Sequence, residues 1–97
     1  MSAKDELVIP DAAGRDARSF ELLRVWIAEK SQHVSLRNAW QDPAAWGIML
    51  ADLAKHVANA YQQEAGLDAK ETLRRITNAL HVELKTATAE PTGKLDA

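Results

Sequence analysis

The apolar residues of this chain change their spacing once, near residue 40, and that change constrains the fold more than any other feature. Leu23, Val25 and Ile27 alternate with Arg24, Trp26 and Ala28. After a polar break, Val34 and Leu36 alternate with His33, Ser35 and Arg37. A period of two belongs to strands that turn one face to a core. Beyond Asp42 the spacing becomes three and four, through Trp46, Leu50, Leu53, Val57 and Tyr61, which belongs to an amphipathic helix. With 97 residues there is room for one domain and a modest core, so strands and helices share it.

The two alternating runs predict a β-hairpin around Glu29-Lys30-Ser31-Gln32. Lys-Ser is a poor pair for a type I′ turn, so a four-residue loop built on a type I turn is expected. That loop sets Ile27 opposite Val34, Val25 opposite Leu36, Trp26 opposite Ser35 and Arg24 opposite Arg37. One face is then wholly aliphatic and is expected to meet the core. The other carries Arg24, Trp26, Ala28, His33, Ser35 and Arg37.

The first long helix opens at Asp42 as cap and Pro43 as first helical residue, and runs to about Glu64. Gly66 then suits the left-handed residue that ends a helix, with Leu67 folding back. Beside the bulky stripe lies a row of small residues, Ala44, Gly47, Ala51, Ala54 and Ala58, which would admit a second helix closely. Asp68 and Glu71 form a capping box for that second helix, whose apolar face is Leu73, Ile76, Leu80, Leu84 and Ala87. The short link makes the helices antiparallel neighbours. The expected fold is α+β: a hairpin packed on one face by two antiparallel helices, with Leu7-Val8-Ile9 available as a third strand. Residues 1–14 read as an arm or short strand, 15–86 as a single domain opening with a helical turn over Arg15–Glu21, and 87–97 as a disordered tail.

The segments Leu23-Arg-Val-Trp-Ile27, His33-Val-Ser-Leu36, Asp42-Pro-Ala-Ala-Trp-Gly47, Leu50-Ala-Asp-Leu53 and His56-Val-Ala-Asn-Ala-Tyr61 resemble a family of short bacterial proteins. That family is known as domain of unknown function 5076, and Asp-Pro-Ala-Ala-Trp-Gly is the most distinctive stretch. The resemblance runs over roughly Leu22–Tyr61. It implies a bacterial cytoplasmic source and no known activity, and brings no catalytic or binding residue with it.

Several classes of function are disfavoured by the residues themselves. A net charge of −2 is wrong for a dedicated nucleic-acid binder. The absence of cysteine excludes disulfides, zinc ribbons, iron–sulfur clusters and thiol nucleophiles. The start of the chain has no signal-peptide pattern and no apolar run approaches about twenty residues, so a cytoplasmic protein is expected. The four glycines, at 14, 47, 66 and 93, are too scattered for a phosphate-binding loop.

The remaining candidates are few. Asp52 and His56 stand four apart on one helix and read as a surface pair. No cofactor is implied, and the three histidines do not converge as metal ligands. On the outer hairpin face Arg24, Trp26, His33 and Arg37 form a candidate ligand- or anion-binding set, with the arginines flanking an indole. Trp26, Ala28, Gly47 and Ile48 are the candidate contact residues for a second copy of the chain. Gly47 is expected to make room for Trp40 or the neighbouring helix. The expected function is a non-enzymatic, self-associating interaction module, a homodimer. The alternative is a small-ligand or anion-binding protein. The first requires Trp26 shielded by protein, the second a concave wet pocket beside it.

Overall fold

The computed structural model describes residues 5–86 and has the order α1 (Asp11–Arg15), β1 (Leu23–Ala28), β2 (Ser31–Leu36), α2 (Ala44–Ala65) and α3 (Ala69–Lys85). The α+β class therefore holds. Its elements fall into two compact units, one ending at Ala39 and one starting at Trp40, and each is described by itself.

In the first unit β1 and β2 pair antiparallel. The turn is tighter than the four-residue loop the sequence suggests. Only Glu29 and Lys30 lie between the strands, both at positive φ (52° and 64°), as a type I′ turn requires. That backbone costs a non-glycine residue roughly 1–2 kcal/mol. Local bonds offset some of it. The Ser31 hydroxyl donates to the Ala28 carbonyl, and His33 Nε2 sits 3.0 Å from the same oxygen. The shorter loop slides β2 by two residues, so Val25 faces Val34, Trp26 faces His33 and Arg24 faces Ser35. A slip of two leaves every side chain on its expected face. It also removes the Arg24–Arg37 opposition.

The Arg37 N–H donates to the Leu22 carbonyl at 3.0 Å, which makes that pair a hydrogen-bonded rung. Along the same ladder, the backbone groups of Leu23, Val25 and Ile27 and of Gln32, Val34 and Leu36 therefore point away from the partner strand. Leu7-Val8-Ile9 is not a strand, so the third-strand expectation fails and both edges lack a described neighbour within the sheet. The aliphatic face is covered only in part, with Leu23, Val34 and Leu36 half-buried. Ile27 is 75% exposed and Val25 48%, whereas Trp26, expected to point outward, is half-buried. Arg24, on Trp26's face, forms an ion pair with Glu6 at 2.9 Å, which ties the N-terminal segment to that side.

The short helix also begins earlier than expected, at Asp11 after Pro10 rather than at Arg15. Asp16 follows it and makes a turn: its carboxylate accepts from the Arg18 N–H and its carbonyl from the Ser19 N–H.

The second unit follows its local signals closely. Asp42 Oδ1 accepts from the Ala44 N–H at 2.9 Å while Pro43 already has helical dihedrals, so α2 starts where the Asp-Pro pair directs it. Gly66, at φ 70°, ends α2, and Leu67 folds back to donate to the Tyr61 carbonyl. Asp68 Oδ2 accepts from the Glu71 N–H at 2.9 Å and caps α3. The Glu71 carboxylate forks onto Arg74 instead of completing the capping box. The expected apolar position Ala87 and the tail 87–97 lie outside the described residues.

α2 and α3 meet at the C-terminal part of the small-residue row, while Ala44 and Ala51 are exposed. Ala58 is buried at 2% exposure and Ala54 is half-buried, as are Ala69, Thr72, Leu73 and Ile76 on α3. Gly47 lies beyond that seam: it is exposed, and a Cβ placed there would meet nothing within 4 Å. The expected close approach at Gly47 is therefore wrong. Trp40 packs edge-on against Trp46 instead, with ring centroids 5.4 Å apart and planes at 83°, and pins the entry to α2.

Candidate functional site

Arg24 sits at the head of the outer-face set because β1 places it next to a short acidic segment. Its Nε donates to Glu21 Oε1 at 3.0 Å and Nη2 to Glu21 Oε2 at 3.1 Å, while Nη1 pairs with Glu6. The Glu21 hydrogen bonds hold the guanidinium above its ordinary pKa, with the charges of Glu21 and Glu6 adding to them. Two carboxylates on one guanidinium leave no net positive charge for an anion. Glu21 is visible in the sequence as a neighbour three residues away. Glu6 is not, because its approach depends on how the N-terminal segment lies.

Arg37 is engaged differently. Its guanidinium lies 5.4 Å over the Phe20 ring, and Nε donates weakly to the Glu21 carbonyl at 3.4 Å. Both arginines border a shallow depression of about 210 Å3 lined by Glu21, Leu22, Leu23, Arg24, Ser35, Leu36 and Arg37. This is below the ~300 Å3 at which ligand clefts typically begin. Trp26 and His33 are not part of its lining. The four candidates therefore divide into two arginines at one end of the hairpin and the Trp26–His33 rung nearer the turn.

His33 has a structural role at that rung. Its Nε2 faces a carbonyl, which only accepts, so this nitrogen carries the proton and donates it to Ala28. The Ser31 hydroxyl lies 3.1 Å from the same nitrogen. The imidazole thus braces the turn. Asp52 and His56 form an exposed pair at 3.3 Å on α2. Among the described residues no three His, Asp or Glu side chains gather as a metal site would require. No described helix is long and apolar enough to cross a membrane.

The contact candidates are likewise divided. Trp26 is half-buried and Ala28 exposed in the first unit, while Gly47 and Ile48 are exposed in the second. A larger apolar surface stands among residues the sequence assigns to the core. Leu50 and Leu53 on α2 are 48% and 41% exposed, and Leu80 and Leu84 on α3 are 51% and 77% exposed. The periodicity does show that these residues share faces. It does not show that one antiparallel partner leaves the faces half open.

No curated protein matches the chain. A solved structure described as a "putative pyruvate dehydrogenase", from the photosynthetic bacterium Rhodopseudomonas palustrus CGA009, is 26% identical to it. That structure superposes with a TM-score of 0.76 over 97% of each chain. The family model for the Domain of unknown function (DUF5076) matches residues 6–88, and the chain belongs to that family.

Proposed function

We propose that this member of an uncharacterised family is a self-associating interaction module of the bacterial cytoplasm, a homodimer without catalysis of its own. One observation carries the reading: Ala58 is the single fully buried hydrophobic residue among those described, while large aliphatic side chains in both units stand 40% or more exposed. A two-stranded hairpin is marginal in water on its own, and a helix pair joined by an alanine seam buries little more. Covering the exposed side chains with a second copy supplies the missing core. The anion-binding alternative loses support from the two carboxylates that already neutralise Arg24. The similar structure's dehydrogenase name finds no site among the described residues: the acid–base pair they contain, Asp52 and His56, lies exposed on the surface of α2.

Light scattering on the purified chain across a dilution series tests the reading. The expected mass is twice 10.7 kDa. A mass that stays at 10.7 kDa at the highest concentration overturns it.

A further inference from the structure

In the hairpin unit the backbone groups of β1 that face away from β2 are unpaired. Leu23, Val25 and Ile27 turn their N–H and C=O groups outward, and among the described residues no turn or loop backbone group bonds to them. β1 runs Leu23-Arg-Val-Trp-Ile-Ala28 without a proline, and its pairing with β2 is continuous, without a bulge. Prolines, bulges and charged side chains are the devices that normally keep sheet edges from pairing. The single charge on this strand, Arg24, is already held by Glu6 and Glu21. A sheet of two strands is marginal in water, and a third strand or more over an apolar face is what makes one stable.

We infer that two copies of the chain join through this edge, β1 against β1 and antiparallel, about a two-fold axis at Val25, so that one sheet runs β2-β1-β1-β2 across both copies. The inference rests on the self-association reading and specifies its surface. What points to a second copy is that the edge is complementary to itself, as an isologous contact requires. With Val25 opposite Val25 of the second copy, Leu23 lies opposite Ile27, and every outward backbone group of these three residues meets a partner. Val25 and Ile27, 48% and 75% exposed, then stand beside aliphatic side chains on one widened face. Arg24 falls opposite Trp26, so the two guanidinium groups are not set against each other. The β2 edge matches itself less well, because a two-fold axis at Val34 places the Gln32 amide against Leu36.

The test uses the full chain, with light scattering over the dilution series and circular dichroism to check the fold of each variant. Val25→Lys and Val25→Glu each set like charges opposite one another at the axis, and each alone is expected to weaken the dimer roughly tenfold or more. Mixed in equal amounts, the two variants set opposite charges against one another, and association is expected to return towards wild-type strength. Damage to the hairpin alone would not be rescued by mixing. Ile27 is the more exposed of the two side chains, so Ile27→Lys, which faces Leu23 of the second copy, carries the test where the Val25 variants lose native circular dichroism. Ile27→Lys is expected to dissociate the dimer, and Leu84→Glu on α3 to leave it intact. Unchanged affinity in the folded edge variants, or no recovery when the Val25 pair is mixed, overturns the β1 pairing. Dissociation by Leu84→Glu alone moves the interface to the helical unit and leaves the self-association reading standing. A wild-type chain that is monomeric overturns both.

Discussion

The hairpin unit and the helical unit are stabilised in different ways. The hairpin depends on its backbone ladder and on polar links near its two ends: the His33 and Ser31 bonds to Ala28 at the turn, and Glu6 and Glu21 on Arg24 at the other end. The helical unit depends on three terminators, Asp42, Gly66 and Asp68, and on the alanine seam centred on Ala58. Links made by side chains across a turn or a strand end fix a local shape without removing much apolar surface from water. A close helix contact removes apolar surface, but only along one line. Neither unit covers its largest aliphatic side chains, and the proposal of a dimer rests on this shared deficit.

The comparison can be broken most forcefully at the seam. Ala58→Leu adds bulk where the structure has no room, and the expected cost is about 1–3 kcal/mol, read as a lowered melting temperature in helical circular dichroism. An unchanged melting temperature would mean that α2 and α3 are not packed through Ala58. The hairpin should respond in the opposite direction. Replacing Glu29 by Asn together with Lys30 by Gly suits both positive-φ positions and is expected to stabilise the unit by roughly 1 kcal/mol. A loss of stability would show that the turn is not the two-residue form.

The smallest effect belongs to the start of α3. The hydrogen bond from Arg74, with its charge, holds the Glu71 carboxyl below its ordinary 4.5. A carboxylate with a lowered folded pKa contributes stability above the unfolded value and loses it as pH falls through the folded one. Glu71→Gln should therefore melt slightly below the wild type at neutral pH, and the gap should close on acidification below 4.5. The pair is exposed, so the gap is small. A gap that persists unchanged at low pH would assign the effect to helix propensity and not to the ion pair.

The features readable from sequence were those decided within a few residues. Asp42, Gly66 and Asp68 act through backbone groups two to five positions away, and their roles emerge as the residue pattern predicts. Strand parity is equally local: a register shifted by two residues leaves Val25 and Val34 on the face that alternation assigns to them. The loop length was not local in this sense. Glu29 and Lys30 are poor residues for positive φ, and the two-residue turn holds because the ladder and the bonds to Ala28 outweigh the strain.

By itself, the sequence determined which residues become strand or helix, where the long helices begin and end, and which side chains share a face, because periodicity and capping are properties of the local chain. Tertiary structure alone decided that Ile27 is exposed and Trp26 half-buried, that Gly47 lies off the seam, and that Leu50, Leu53, Leu80 and Leu84 remain open. An apolar stripe records the need for a partner, while the identity and extent of that partner depend on residues distant in the chain or on another molecule.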